Sequence, residues 1–283
     1  MFAGCGVPDL SIHDHLCFVY GDHTEAQQAL LEYVVAGLAR HERVCVFATA
    51  GAASATIDIE LRRVGVPVDA LAGAGALILG SAEEAYLSGG SFDADRCLTR
   101  YAEAARAAVA EGFTGLRAYA ESQFLLGRPD SLAAWPAYEL RADLLATQLP
   151  ITAVCAYDSR RWPADDLMMA ETVHTRRSRS HSAVRLHAGR DGVLRLSGEI
   201  DFCVARQLHR LLVSTAAART RPVLDVSGVS FIDVSAARSL GTACEEVAGR
   251  LGPTTIRGAT PLLRQIWDLT SWSDSFPNVI IEA

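Results

Sequence analysis

The sequence predicts an α/β protein made of two successive domains: a larger, mainly parallel sheet flanked by helices, then a smaller α/β domain. Three observations predict it. Helical and strand patterns alternate through the first 175 residues, and strand stretches such as Arg43–Ala48 (RVCVFA) and 151–157 (ITAVCAY) are continuously apolar, as strands covered on both faces are. A polar, basic stretch then begins His174-Thr-Arg-Arg-Ser-Arg-Ser-His-Ser and carries no acidic residue up to Arg190. Beyond it, a hairpin pattern, helices and strands follow on a shorter scale. These breaks set domains at 1–175 and 184–283, with 176–183 as a linker.

In chain order, residues 13–20 (HDHLCFVY) form an extended segment rich in aromatic and β-branched residues. Thr24 opens a capping-box pattern with Gln27, and Ala26, Leu30, Val34 and Leu38 follow at helical spacing. After the strand at 43–48, a helix over 53–64 stops at Gly65 and Pro67, and 76–80 (ALILG) is a strand. Asp93 or Asp95 caps a helix carrying Leu98, Tyr101, Ala105 and Val109. A strand at 116–120 ends at Glu121. Ser131 caps a helix with Pro136 near its first turn, the strand at 151–157 ends at Asp158, and a short helix covers 164–173.

In the second domain, 184–188 and 193–196 pair as a hairpin around Gly189 and Gly192. A helix carries Val204, Leu208, Leu211 and Leu212, and 223–226 is a strand. Ala237, Leu240, Cys244, Val247 and Leu251 mark another helix, followed by a short strand at 254–257 and a helix at 261–269.

Composition narrows the function. The net charge of −7 argues against a general nucleic-acid binder. All 26 basic residues are arginine, which removes Schiff-base lysine chemistry and the phosphate-binding lysine of a P-loop. The seven cysteines form no CxxC pair and read as reduced thiols of a cytosolic protein. No signal peptide is visible, and no apolar run reaches the roughly 18 residues of a membrane span.

Functional groups of parallel α/β sheets collect beyond the carboxyl ends of strands. Glu121, Asp158 and the loop Thr49-Ala-Gly-Ala lie there. Glu121, Trp135, Tyr138, Glu139, Tyr157 and Asp158 are expected to line a pocket, whose aromatics and carboxylates suit a small ligand, including a cationic one. His13, His15 and Cys17 alternate along an extended segment and could share one face. With a further ligand such as Cys155 or His174 they could hold a soft divalent metal, but no second spaced pair supports this, and no metal or cofactor is expected.

Leu-Ser-Gly-Glu-Ile-Asp (196–201), Leu-Asp-Val-Ser-Gly-Val-Ser-Phe-Ile-Asp-Val-Ser (224–235) and Gly-Ala-Thr-Pro-Leu-Leu-Arg (258–264) resemble the STAS family of sulfate transporters and anti-sigma factor antagonists. In bacterial antagonists an Asp is followed by two hydroxyl residues and a Gly, and the second hydroxyl is phosphorylated by a kinase that is also the anti-sigma factor. The resemblance makes Ser235 the phosphoacceptor and Asp233 its neighbour, with Glu199 and Asp201 facing the partner. Val234 and Ala236 depart from the pattern. Ser235 is expected at a helix N-terminus, its hydroxyl capping the helix.

The first domain resembles the MEDS family, a sensory domain of methanogens and methylotrophs. His15-Leu-Cys-Phe-Val-Tyr20, Gly37-Leu-Ala-Arg-His-Glu-Arg-Val-Cys45, Tyr138-Glu139, Val154-Cys-Ala-Tyr-Asp158 and His174 carry the likeness. It implies a RecA-like fold that senses small molecules, with His15, Cys17 and Tyr20 added to the ligand-binding set. The loop at 49–56 lacks GxxxxGK[ST], so no ATP hydrolysis is expected.

Together these readings describe a non-catalytic, cytosolic bacterial signalling regulator, compatible with a homodimer. Its sensor is coupled to an output that binds an anti-sigma factor or serine kinase and is switched by phosphorylation. The alternatives are an unphosphorylated STAS scaffold for a stress or transcription complex, and a metal- or nucleotide-dependent enzyme.

Overall fold

The computed structural model describes residues 7–49, 52–179, 183–218 and 222–283. The chain divides into two compact units. The first holds Met1–Leu132, Leu145–Leu167 and Thr175–Arg179; the second holds Ala133–Leu144, Met168–His174 and Ser180–Ala283. Each is α/β.

Up to Arg177 the elements run β1 (His15–Tyr20), α1 (His23–Ala39), β2 (Arg43–Ala48), α2 (Ala52–Arg63), α3 (Val68–Gly73), β3 (Leu77–Ser81) and α4 (Ala82–Tyr86). They continue with α5 (Ala94–Ala110), β4 (Leu116–Glu121), α6 (Pro129–Gln148), β5 (Ile151–Asp158), α7 (Ala164–Val173) and β6 (Arg176–Arg177). The strands make one sheet in the order β3-β2-β4-β5-β1-β6, every pairing parallel. Side chains of a strand alternate between faces, so β2 feeds two cores. Val44 and Val46 pack with Tyr33 and Val34 of α1, whereas Cys45 joins Ala105 of α5 and Leu116 of β4.

A buried charge is built into the first of these faces. Arg117 and Glu42 form an ion pair, both side chains fully buried. The guanidinium also donates to Leu10 O at 2.9 Å and lies 4.5 Å from the centre of the Tyr33 ring. Tyr33 in turn donates to Ala118 O and Thr152 O, tying α1 to β4 and β5. Gly37 makes room for Arg117: a Cβ there would lie 2.3 Å from Arg117 Cδ.

Several local expectations change. Asp22, not Thr24, caps α1, accepting from Thr24 N–H at 2.7 Å. Of the two candidates for α5, Asp93 is the cap. Helix α6 starts at Pro129, a position proline favours because its missing N–H is not needed there. Ser131 is therefore inside the helix rather than its cap, and Pro136 lies well inside it. The short α3 and α4 show too few turns to leave a periodic signature. The stretch expected as a linker begins with β6, which pairs with β1 through Leu16↔Arg176 and Cys17↔Arg177. Residues 180–182 of that stretch lie outside the described residues.

The second unit carries β7 (Arg185–Ala188), β8 (Leu194–Ile200), α8 (Phe202–Ser214), β9 (Val223–Ile232), α9 (Val234–Leu251) and β10 (Thr254–Arg257). It closes with α10 (Pro261–Leu269), α11 (Trp272–Ser275) and β11 (Val279–Ile281). Its sheet runs β11-β10-β9-β8-β7, parallel except for the expected β7–β8 hairpin. Strand β9 runs to Ile232, past the expected end at 226, because exposed Ser227 and Gly228 interrupt its apolar pattern without ending the pairing. Gly198 sits at an irregularity in the β8–β9 ladder with φ +104°, and a Cβ there would lie 2.1 Å from Ala183 O. The core collects Leu208 and Leu212 of α8, Leu240 and Cys244 of α9, and Leu224 and Val226 of β9. Leu140, Met169 and Val173 belong to the same cluster.

Candidate functional sites at strand ends

In the first unit, β1, β4 and β5 end at Tyr20, Glu121 and Asp158. Parallel register brings these ends together: Tyr20 pairs with Asp158 and Glu121 with Ala156. Beyond them is a pocket of about 440 Å³, with Leu30 and Ile57 giving an apolar side. Glu121 and Asp158 therefore sit where the strand-end argument puts them, on the neighbouring strands β4 and β5, with Tyr20 beside Asp158 on β1.

The pocket's polar wall is braced. Gln123 Nε2 donates to the Tyr20 hydroxyl at 2.6 Å. Thr49 N–H donates to the Glu121 carboxylate at 2.8 Å. Arg160 holds Asp158 through two guanidinium contacts of 2.8 and 2.7 Å and its own backbone N–H. The arginine keeps the Asp158 carboxyl below its ordinary range. Burial, then the charges of Glu121 and Asp158, push the Tyr20 phenol far up, so it is a neutral hydroxyl at physiological pH. Among the described residues no arginine pairs with Glu121. The lining sets the Glu121 carboxylate beside Tyr20 and Tyr119 and also holds Arg161 and His23, so the pocket offers hydrogen-bond donors and acceptors to a small polar ligand.

Other expected ligand residues lie elsewhere. Trp135, Tyr138, Glu139, Tyr157, His15 and Cys17 are absent from the described lining. Trp135 and Tyr138 are buried and stack on each other, ring centres 4.8 Å apart. Tyr157 is fully buried edge-on to Trp162. Large rings on strongly apolar elements have gone to core packing, where their area is worth most. His15 is buried with Nε2 3.4 Å from Cys155 Sγ, and Cys17 is fully buried. His13 lies outside β1 with positive φ, its ring nitrogen 2.7 Å from Ala146 O, so it does not continue the alternation of His15 and Cys17. Glu139 faces His174 Nε2 at 3.5 Å, while the other ring nitrogen is 2.7 Å from Ala170 O. Sequence reasoning missed Gln123, which follows β4 by two residues and was within reach of the same strand-end rule. Residues 50–51 of the loop that begins at Thr49 lie outside the described residues.

In the second unit the ends of β8 and β9 meet the starts of α8 and α9. Asp233 serves both helices. Its Oδ1 accepts from Ala236 N–H at 2.8 Å and caps α9, while its Oδ2 accepts from Phe202 N–H at 2.6 Å. Asp201 caps α8 through Cys203 N–H at 3.0 Å. The capping role expected of Ser235 thus belongs to Asp233; Ser235 is one residue inside α9, exposed. Asp233 and Asp201 spend their carboxylates on backbone N–H groups. Glu199 is exposed and in register with Phe231. Phe202, Phe231 and Val234 are all exposed beside this junction, at 70%, 47% and 55%.

The fold and these two strand-end sites define a chain of two successive α/β modules, a parallel six-stranded one and a smaller five-stranded one. Residues 14–175 match the family model described as MEDS, the MEthanogen/methylotroph, DcmR Sensory domain. Residues 184–281 match the model described as Mlab, STAS domain. The chain belongs to the MEDS family and carries a STAS domain after the sensory one. It is a signalling regulator with an anti-sigma antagonist-like domain. No curated protein matches it. Among the described residues no helix is long and apolar enough to cross a membrane.

Proposed function

We propose that this is a cytosolic bacterial regulator in which a small molecule bound at the Tyr20–Glu121–Asp158 pocket changes how the STAS domain engages an anti-sigma factor or serine kinase, with Ser235 as the phosphoacceptor. The protein is not itself an enzyme. The observation that carries the reading is the exposed Ser235 hydroxyl in the first turn of α9, two residues from the Asp233 cap. A phosphate there adds about −1.5 to −2 charges. The helix dipole favours that charge and Asp233 opposes it, so the local field at a docked partner changes sharply.

The test is intact-mass analysis after incubation with ATP and the anti-sigma serine kinases of the same organism, followed by pull-down with wild type, Ser235→Ala and Ser235→Asp. One phosphate on wild type, none on Ser235→Ala, and partner loss with Ser235→Asp are expected. Modification that survives Ser235→Ala, or equal recovery of the same partners by all three, overturns the switch. A second reading, a STAS scaffold that is never phosphorylated, is favoured by exposed Val234 at the position of the first hydroxyl. It predicts that equal recovery.

A further inference from the structure

The sheet of the first unit has a second opening on its other face, independent of the strand-end pocket. A cavity of about 240 Å³ lies between α5 and the strands β2 and β4. Cys45 and Phe47 of β2 form its floor with Leu116 of β4, and Cys97, Tyr101 and Ala104 of α5 form its roof. The roof residues recur at i, i+4 and i+7, one face of the helix. The two pockets share no lining residue.

We propose that this cavity binds a small, neutral, largely apolar molecule of about the size of one substituted aromatic ring. Protein interiors are packed to crystal density, with few voids larger than a water molecule. An enclosed apolar cavity of about 150 Å³ is already enough to take up benzene; this one is larger and opens to solvent on one side, at Ile78. It stays open because small side chains face it. Ala104, Cys97 and Ala85 stand where leucine or phenylalanine would fill the space.

The chemistry of the walls selects a neutral guest. Among the described residues no carboxylate lines the cavity. Arg100, the charged residue of the lining, donates to Ala85 O at 2.9 Å and Ser88 Oγ at 3.4 Å. The Tyr101 hydroxyl is bonded to that of Tyr86 at 2.6 Å. Phe47 stands edge-on to Tyr101 and Tyr86, which makes an aromatic wall. Burial pushes the Cys45 thiol up to about 12 and raises Cys97 as well, so both line the space as uncharged S–H groups. An ion would lose its hydration here without gaining a partner, whereas a neutral ring exchanges water for aromatic and thiol contacts. Exposed Ile78, on the edge strand β3, belongs to the lining and marks a way in.

The cysteines provide the assay. The full chain is treated with N-ethylmaleimide with and without saturating toluene, and labelling of each cysteine is followed by mass spectrometry. Toluene is expected to slow Cys45 and Cys97 at least fivefold relative to Cys17 and Cys155, which are buried outside the cavity, and to leave exposed Cys203 unchanged. It should also raise the melting temperature, because a ligand of the native state stabilises it by mass action. Ala104→Phe, which fills the space, should abolish both effects. Should that ring unfold the protein, Ala104→Leu makes the same test with a smaller group. Equal labelling of Cys45 and Cys97 with and without toluene overturns the proposal. So does protection that persists in a folded, filled variant. The outcome is independent of whether Ser235 is phosphorylated.

Discussion

At the scale of single residues, Asp233 and Ser235 separate a structural role from a signalling one. They are two positions apart, yet Asp233 accepts two backbone N–H groups from two helices while Ser235 stands exposed. Losing an N-cap costs about 1 kcal/mol, and a hydrogen bond to a charged group is worth about 1.5–3 kcal/mol. Asp233→Ala should therefore lower the stability of the second unit by about 2–3 kcal/mol in urea denaturation. Asp233→Asn keeps an acceptor and should lose less. Ser235→Ala should stay within about 0.5 kcal/mol of wild type, as exposed substitutions do. A large loss for Ser235→Ala would make Ser235 part of the framework and remove the ground for reading its variants as signalling variants. The sequence made Asp233 and Ser235 equally visible but put the cap on Ser235, because both residue types favour that position; the structure gives it to Asp233.

At the scale of elements, α1 is fixed to its sheet by a buried charge as well as by apolar contact. Gly37 lies over Arg117, whose partner Glu42 is supplied by the turn into β2. Glu42→Ala would leave a guanidinium buried without its counter-charge, a change that costs about 3–5 kcal/mol. Gly37→Ala would push a methyl group into Arg117 and Val44, and overpacking of this kind costs about 1–3 kcal/mol. Both variants should melt well below wild type in calorimetry, with Glu42→Ala the lower. A Gly37→Ala protein as stable as wild type would mean that α1 can lift off its sheet at no cost. This device was not legible beforehand. Glycine in a helix reads as an end signal, and Arg117 inside Leu-Arg-Ala-Tyr-Ala reads as a strand residue without a destination. The apolar strands themselves were legible, because burial on both faces leaves a composition that hardly depends on partners. The strand-end carboxylates Glu121 and Asp158 were legible for a related reason: parallel order fixes which end of each strand meets its neighbours. Trp135, Tyr138 and Tyr157 are absent from the described lining of the strand-end pocket and are buried against other rings; periodicity does not distinguish a ring facing a cavity from one facing another ring.

At the scale of the whole molecule, the boundary suggested by the basic stretch after His174 differs from the boundary drawn by packing. The family matches break between 175 and 184, whereas the second compact unit also takes in Ala133–Leu144 and Met168–His174. Leu140, Met169 and Val173 are buried within the same apolar cluster as Leu208, Leu240 and Val226. Composition marks where charge and apolar periodicity change along the chain, but a core can recruit residues from either side of such a mark. A fragment of residues 184–283 should thus lack part of its core. Truncating a single large apolar side chain in a core costs about 2–5 kcal/mol, and three are absent here, so the fragment should unfold at lower denaturant than the same region of the full chain. Hydrogen exchange makes the comparison directly: amides of β8 and β9 should exchange faster in the fragment than in the intact protein. Met169→Ala in the full chain should move the same amides in the same direction by a smaller amount. Equal protection of β8 and β9 in fragment and full chain would show that the STAS segment completes its core alone, and that the break after His174 is a boundary in energy as well as in sequence.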